Sequence, residues 1–298
     1  MAAHFSRRAL TGAMAGLFLG GCAARGPRQA SAHPTPPPYL RSRGLGDEPN
    51  LDPASGDLPA PAAFSYTDSD DETSDCIFYA ADGAPVGLVV YLDGDGQFFH
   101  SQGGQSQDER SPGGLAGVGG VVEAAGVRGF DVVSVRSPGD DGMWWLENQD
   151  GKVRYLEETL DYVAAECGAN MDQLWLVGYS GGSEFISRRF FPAYAERMPG
   201  GGFINFGGGD APEERAAAFS GDAKERLSLN WVTGTRDVPS NSLDGFDGIG
   251  HARNSLAYYR SAGFGHTWSE WPDDDHGSIT EKFGRYVGRV LDDAASGK

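Results

Sequence analysis

Basic residues are scarce in this chain of 298 residues. Lysine and arginine together number 24, against 42 aspartates and glutamates, and the formal net charge is −18. The long-range field of such a protein repels polyanions. We therefore expect no nucleic-acid partner, and the simplest role of the excess acid is solubility.

The apolar run near the N-terminus is too short to cross a bilayer. It covers residues 9–19, follows Arg7 and Arg8, and ends in the sequence LGGC at 19–22. A transmembrane helix needs about 18 or more apolar residues, whereas a charged start followed by a short apolar run is typical of a signal peptide. The pattern predicts a signal peptide over residues 1–21.

Two short motifs in this segment concern export. The sequence SRRAL at 6–10 resembles a twin-arginine signal, and LGGC resembles a bacterial lipobox, in which the cysteine becomes the lipidated first residue. We expect Cys22 to anchor the protein by lipid to the outer face of a bacterial cell membrane, with no other membrane contact. The sequence leaves the export route, Sec or twin-arginine, open.

Apolar periodicity is nearly absent between residues 22 and 63. This stretch holds nine of the seventeen prolines. Prolines bias a chain toward extended conformers without a core. The composition predicts a disordered tether over 22–63, followed by one folded domain over 64–298.

The chain has only three cysteines. Because the lipobox accounts for Cys22, Cys76 and Cys167 either pair as a disulfide or remain two separate buried thiols. A disulfide would close a loop of about 90 residues, worth roughly 4–5 kcal/mol in the chain-entropy treatment. No Cys-x-x-Cys or His-x-x-x-His motif occurs, and the calcium-loop start at 93–96 has Gly104 where the closing glutamate belongs. We expect no bound metal.

Short apolar runs alternate with helix-like stretches from about residue 64 onward. Runs without strict alternation suit strands buried on both faces of a sheet. The alternation predicts an α/β fold with a mainly parallel central sheet and helices on both faces. The strand-like runs are 76–79, 86–92, 130–135, 173–177, 202–206, 227–233 and 266–271, and the helix-like ones are 115–125, 154–167, 184–197, 251–262 and 279–294.

One motif carries nucleophile chemistry. The strand-like LWLV at 174–177 runs into GYSGG at 178–182, and a helix-like stretch follows. Gly-x-Ser-x-Gly between a strand and a helix is the nucleophile elbow of serine hydrolases, a sharp turn that lifts the serine hydroxyl above the sheet. We predict Ser180 as the nucleophile, with the backbone N–H of Gly181 as one donor to the oxyanion.

A serine nucleophile needs a base and an acid that orients the base. Asp237 ends a predicted buried strand, and His276 follows the next predicted strand. The chain order Ser-Asp-His, with each residue just past a strand, is that of the α/β-hydrolases. We therefore predict Asp237 as the acid and His276 as the base. The competing residues are Asp210, Asp244 and Asp247 for the acid, and His100 and His251 for the base, with His251 expected to cap a helix or lie at the surface.

About 230 residues, from 64 onward, resemble the secreted α/β-hydrolases. The layout is similar to that of the esterase group with polyhydroxybutyrate depolymerase-like and feruloyl esterase-like proteins. The resemblance implies an α/β-hydrolase fold and ester hydrolysis through an acyl-serine, with no organic cofactor or metal. By the match of LDGDG at 92–96 to the His-Gly-x motif of these enzymes, the N–H of Asp95 is the second oxyanion donor. Asp93 replaces the usual histidine, which adds carboxylates near a site for an anion.

The substrate is expected to be a small-molecule or polymeric ester. The segment 210–226, where many relatives insert a cap, is short, so we expect no large cap and an open cleft. Tyr179 is predicted to contact substrate, as are Trp144 and Trp145, although packing of the two tryptophans onto the domain edge is an equal alternative. The rival functions are a peptidase or thioesterase with the same triad and a non-catalytic surface-binding lipoprotein. The sequence does not predict an oligomeric state.

Overall fold

The computed structural model describes residues 61–103, 110–139, 141–212, 219–242 and 244–297. The predicted signal peptide, Cys22 and nearly all of the predicted tether lie outside these residues. The first strand begins at Ala62, two residues before the predicted start of the folded domain.

Eight strands form one sheet in the order β1-β2-β4-β3-β5-β6-β7-β8. Strand β2 is antiparallel to both β1 and β4, and every other pairing is parallel. All residues of β3, β4 and β6 are buried, as expected of strands covered on both faces. The strands are β1 (Ala62–Thr67), β2 (Thr73–Tyr79), β3 (Gly87–Leu92), β4 (Phe130–Val135), β5 (Leu174–Tyr179), β6 (Gly201–Phe206), β7 (Ser228–Val232) and β8 (His266–Glu270).

Helices cover both faces of this sheet. Side chains of α3, α4, α5 and α7 join the apolar cluster on one face, and those of α1, α2 and α8 join the cluster on the other. None of the described helices is both long and apolar enough to cross a membrane. The helices are α1 (Phe98–Gln102), α2 (Val121–Gly126), α3 (Gln149–Glu166), α4 (Gly181–Phe185), α5 (Phe191–Tyr194), α6 (Gly221–Arg226), α7 (Gly248–Ser261) and α8 (Phe283–Ala295), with a π-helical turn at Ile186–Phe190 joining α4 to α5.

The mainly parallel sheet with helices on both faces is confirmed. Each of the seven strand-like runs is a strand, whereas β1, an edge strand with one buried residue, was not predicted, because its first two residues were assigned to the proline-rich tether. The helix expected at 115–125 is confined to α2, because Gly113 and Gly119 adopt positive φ angles in turns that precede it. The two short helices α1 and α6 were not predicted.

The connection after β6 is short. Strand β6 ends at Phe206 and α6 begins at Gly221, so residues 207–220 are the whole link, of which 213–218 lie outside the described residues. A segment of this length is too small for a separate cap domain. The expectation of no large cap is therefore confirmed.

Neither alternative for the two cysteines is found, because Cys76 is a free thiol whereas Cys167 is disulfide-bonded, so the two do not pair. Cys76 is a free, fully buried thiol on β2, hydrogen-bonded to Tyr155 near the start of α3. Cys167 caps the other end of the same helix. Twelve helical residues span about 18 Å, well beyond the roughly 7 Å that a disulfide allows between Cα atoms. Burial raises the pKa of the Cys76 thiol to about 12, so this thiol is unreactive.

Candidate active site

Ser180 lies in a sharp turn between β5 and α4. Its φ of 49° and ψ of −117° fall in a region that side-chain-bearing residues rarely adopt. The turn is held by the backbone N–H of Ser180, which donates to the carbonyl of Phe206 at the end of β6 at 2.9 Å. The serine hydroxyl consequently stands at the carboxyl end of the parallel strands, where active sites of open α/β sheets form.

The two outer glycines of the motif allow this turn to pack. A Cβ at Gly178 would lie 2.7 Å from the backbone nitrogen of Ser183, and one at Gly182 would lie 2.7 Å from the carbonyl oxygen of Asp93. Real Cβ atoms do not approach so closely. Gly178 is therefore needed where the end of β5 contacts α4, and Gly182 is needed where α4 contacts the end of β3.

Ser180, His276 and Asp237 form one chain of hydrogen bonds. The Nε2 atom of His276 lies 3.0 Å from the Ser180 hydroxyl, and its Nδ1 atom lies 2.8 Å from Oδ2 of Asp237. The Asp237 carboxylate is almost fully buried, which favours the tautomer with the proton on Nδ1 and leaves Nε2 as an acceptor. The three residues follow β5, β7 and β8, so strands adjacent or close in the sheet bring them together.

Aromatic side chains hold the His276 ring in this position. Tyr179 stacks on it with ring centroids 5.1 Å apart, and the Tyr179 hydroxyl donates to the His276 carbonyl at 3.0 Å. Phe246 contacts the ring edge-on at 5.5 Å. The predicted substrate residue Tyr179 thus packs beneath the histidine, with Phe99 and Phe283 behind it. Burial raises the pKa of the Tyr179 hydroxyl well above its ordinary value.

The competing acids and histidines have hydrogen-bond partners outside the triad. Asp247 caps α7 through the N–H of Gly250, and His100 is buried with its Nδ1 2.8 Å from the Ser134 hydroxyl. The remaining competitors are Asp210, whose carboxylate accepts the N–H of Ala211, Asp244, whose carboxylate accepts the N–H of Phe246, and His251, which pairs with Glu184.

Two backbone N–H groups beside Ser180 are available for an oxyanion. The N–H of Gly181 and that of Asp95 donate no hydrogen bond to any described residue. The loop that carries Asp95 closes tightly over the nucleophile, since a Cβ at Gly94 would lie 3.0 Å from the Tyr179 ring and 3.2 Å from the Ser180 Cβ. The loop therefore presents one free donor and α4 the other.

Asp93 anchors the loop from below. Its Oδ1 accepts the N–H of Gly94 at 2.8 Å and the hydroxyl of Tyr91 at 3.0 Å, and its Oδ2 accepts the N–H of His100 at 2.9 Å. Burial raises the pKa of Asp93 to about 6, although these hydrogen bonds favour the ionised form. The aspartate in place of the usual histidine thus points into the core, while the carboxylate of Asp95 stays at the surface.

The two adjacent tryptophans have different positions. Trp144 is fully buried and stacks on Phe185 with centroids 5.0 Å apart, so its predicted contact with substrate is wrong. Trp145 is half-buried beside the nucleophile, and its indole N–H donates to both carboxylate oxygens of Asp95 at 3.0 and 3.1 Å. Because successive residues of a loop point in different directions, the chain places one ring in the core and one at the site.

Glu184 and His251 form a second histidine–carboxylate pair that was missed. Glu184 is buried in α4, and its Oε1 lies 2.9 Å from Nδ1 of His251. The same carboxylate accepts the N–H of Gly209 at 2.9 Å and pairs with Arg188 at 3.5 Å. The hydrogen bond to Glu184 raises the pKa of His251. A glutamate four residues after the nucleophile, on the buried side of its helix, is the only sequence feature that pointed to this pair.

No group of three His, Cys, Asp or Glu side chains within the described ranges converges in a way that would hold a metal ion. The candidate site is therefore built from Ser180, His276, Asp237 and the two free N–H groups. These supply a nucleophile, a proton acceptor with its orienting acid, and donors for a developing negative charge.

Similar solved structures are hydrolases of this fold. Poly(aspartic acid) hydrolase-1 from Sphingomonas sp. KT-1 superposes with a TM-score of 0.53 at 12% identity, over 78% of this chain and 99% of that chain. A Bacillus cereus carboxylesterase superposes with a TM-score of 0.51 at 15% identity, over 72% of this chain and 93% of that chain. A poly(3-hydroxybutyrate) depolymerase from Bordetella parapertussis superposes with a TM-score of 0.50 at 16% identity, over 80% of this chain and 91% of that chain. No protein-family profile and no curated protein sequence matches the chain. The likeness establishes the α/β-hydrolase fold.

Proposed function

We propose that the protein is a serine hydrolase that cleaves carboxylic esters through an acyl-serine intermediate. One observation carries the proposal: the unbroken chain of hydrogen bonds from buried Asp237 through His276 to Ser180, with the serine on a strained turn. Strain of this kind persists only where the surrounding structure fixes it, and such positions cluster at reaction centres.

In the acylation step, Oγ of Ser180 attacks the ester carbonyl as Nε2 of His276 takes its proton. Asp237 stabilises the imidazolium that forms, and the N–H groups of Gly181 and Asp95 donate to the oxyanion. His276 then returns the proton to the departing alcohol as the C–O bond breaks, which leaves the acyl-serine. In deacylation, His276 takes a proton from water, the hydroxide attacks the acyl carbonyl, and Ser180 leaves with the proton.

The ester class rests on two supports. Structures with this fold and comparable topology include a carboxylesterase and a polyester depolymerase. The short link between β6 and α6 supports the expectation of an open cleft, which would suit a polymeric or surface-presented ester as well as a small one. A peptidase or thioesterase would use the same residues, so a panel of matched ester, thioester and amide substrates distinguishes these reactions.

We also propose that the protein is exported and held at the outer face of the bacterial membrane by lipid on Cys22. The support is the sequence alone: the charged start, the short apolar run and the lipobox-like LGGC. An anchored hydrolase with a long proline-rich segment before its domain would act on esters near the cell surface.

The decisive experiment combines labelling with turnover. The wild type should react with a fluorophosphonate and hydrolyse p-nitrophenyl esters, whereas Ser180→Ala should not be labelled and should lose several orders of magnitude in kcat. Ser261→Ala, at an exposed serine on α7, is the matched control and should behave as the wild type. Labelling of the Ser180 variant would show that another serine reacts, and an unlabelled, inactive wild type would favour a binding protein.

Variants of the two partners test their separate roles. Asp237→Asn should lose less activity than His276→Ala, because the acid orients the imidazole and stabilises its charge while the histidine moves the proton. Both variants should retain the fold, which circular dichroism checks. An equal loss in the two variants would argue against this division of roles.

A further inference from the structure

The carboxylate of Asp95 lies directly on Gly181. A Cβ at Gly181 would collide with Oδ1 of Asp95 and would approach Cδ1 of Trp145 to 2.7 Å. The residue whose N–H faces the reacting carbonyl is thus covered by a carboxylate and an indole ring. Only glycine at 181 leaves room for both.

Asp95 has no ion-pair partner among the residues that the structure describes. Its hydrogen-bond donor is the indole N–H of Trp145. Lys152, in the first turn of α3, has other partners, since its ammonium pairs with Asp141 at 3.6 Å and donates to two backbone carbonyls. Burial and the charges of Asp244 and Asp141 raise the pKa of Asp95, whereas the hydrogen bond from Trp145 and the charge of His276 act in the opposite direction. The carboxylate therefore has a hydrogen-bond donor but no ion-pair partner among the described residues.

This charge opposes the reaction of a neutral ester. The tetrahedral intermediate places negative charge next to the N–H of Gly181, and the Asp95 carboxylate touches the same residue. Two like charges at such short range repel each other. A substrate cation beside Asp95 would remove the repulsion and would itself attract the oxyanion.

The surroundings suit a cationic nitrogen. The half-buried Trp145 indole lies next to the carboxylate, and the electron-rich face of an indole attracts an ammonium group. The net charge of −18 also gives the whole protein a field that draws cations toward it. Carboxylate, indole and overall field thus favour the same class of ligand.

Building on the proposed ester hydrolysis, we propose that the site is selective for esters that carry a cationic nitrogen, ammonium or quaternary ammonium, a few bonds from the reacting carbonyl, with Asp95 as its counter-ion. Asp95 then has two separate functions. Its N–H donates to the oxyanion, and its side chain selects the substrate.

Matched ester pairs test this selectivity. On the acyl side, we compare two p-nitrophenyl esters of equal chain length, one ending in a trimethylammonium group and the other in the isosteric tert-butyl group. On the alcohol side, we compare a choline ester with its carbon isostere. We expect kcat/KM to be about tenfold higher or more for the cationic member of at least one pair, equivalent to about 1.4 kcal/mol, and the pair that responds identifies the side that binds. Equal kcat/KM within both pairs, or preference for the neutral members, overturns the inference.

Two variants separate local pairing from net charge. Asp95→Asn should reduce the cationic-to-neutral ratio of kcat/KM toward one, and should raise turnover of the neutral ester because the repulsion is gone. Asp82→Asn makes the same change of charge at an exposed loop after β2 and should leave the ratio as in the wild type. An unchanged ratio in Asp95→Asn, or an equal fall in both variants, overturns the role of Asp95.

The outcomes also separate this inference from the proposed function. Hydrolysis of both members of a pair at one rate leaves the serine esterase intact and removes only the selectivity. Failure to hydrolyse any ester, together with absence of fluorophosphonate labelling, removes the proposed function itself.

Discussion

Gly248, the first residue of α7, packs directly against the carboxylate of Asp237. A Cβ at Gly248 would lie 2.6 Å from Cγ of Asp237 and 2.8 Å from its Oδ1. The N–H of the next residue, Ile249, donates to the Asp237 carbonyl at 3.0 Å and fixes the helix in place. Among the described residues, Oδ1 has no hydrogen-bond partner, so packing against α7 and the bond to His276 set the position of the carboxylate.

Gly248→Ala should therefore displace the acid and impair catalysis. The added methyl group pushes the carboxylate away from Nδ1 of His276, and misplacement by about 1 Å costs on the order of a hundredfold in rate. The measurement is kcat on a p-nitrophenyl ester, and the control is Gly221→Ala, where the first residue of α6 has open space around it. Full activity of the Gly248 variant would mean that α7 shifts to accommodate the methyl group while Asp237 stays in place.

Asp93 should make stability depend on pH in a particular direction. Its pKa of about 6 in the folded protein exceeds the value of about 3.9 in an unfolded chain. Its contribution to the free energy of unfolding is thus fully present below about pH 4 and is lost as the pH rises through about 6. We compare the free energy of unfolding of the wild type with that of Asp93→Asn. The wild-type value minus the variant value should fall by on the order of 3 kcal/mol between about pH 4 and 7.

Urea unfolding of both proteins across that pH range measures this difference. Because all other titratable groups are common to the two proteins, their contributions are removed when one free energy is subtracted from the other. Asp82→Asn, a surface change of equal charge, should show a nearly constant difference from the wild type. A difference for Asp93→Asn that stays flat, or that grows with pH, would contradict the cause given for its raised pKa.

The Glu184–His251 pair should stabilise the protein mainly when His251 is protonated. Hydrogen bonding to Glu184 raises the pKa of His251 in the folded state. The contribution is fully present below the unfolded value of about 6.5 and is lost as the pH rises through the folded pKa. Relative to His251→Gln, the Tm advantage of the wild type should shrink as the pH rises above about 6.5. His266→Gln, which removes an exposed histidine on β8, serves as the control.

The lipid anchor can be tested on the full chain in a bacterial host. The wild type should partition into the detergent phase, and Cys22→Ala should either release the protein from the membrane or leave its signal peptide uncleaved, because the acyl chain has no attachment point. Mass spectrometry of the N-terminus identifies the acyl group. A wild type that is wholly soluble and unacylated would remove the anchor.

Features that depend on local pattern could be predicted before the fold was known. Buried strands of a parallel sheet read as short apolar runs, so the seven central strands were predicted. The turn at Ser180 requires glycine at 178 and 182, so the five-residue motif at 178–182 is sufficient to predict it. The positions of Asp237 and His276 followed from the same rule, because residues just past parallel strands share one edge of the sheet.

Features that depend on side-chain direction and on distance across the fold could be seen only in the three-dimensional structure. Trp144 and Trp145 are neighbours in sequence, yet one packs on Phe185 and the other contacts Asp95. Cys76 and Cys167 both belong to one core but are held apart by the length of α3. Glu184 and His251, 67 positions apart, meet because α4 and α7 pack on the same face of the sheet. Contacts of this kind arise when packing brings distant segments together, and no local pattern encodes them.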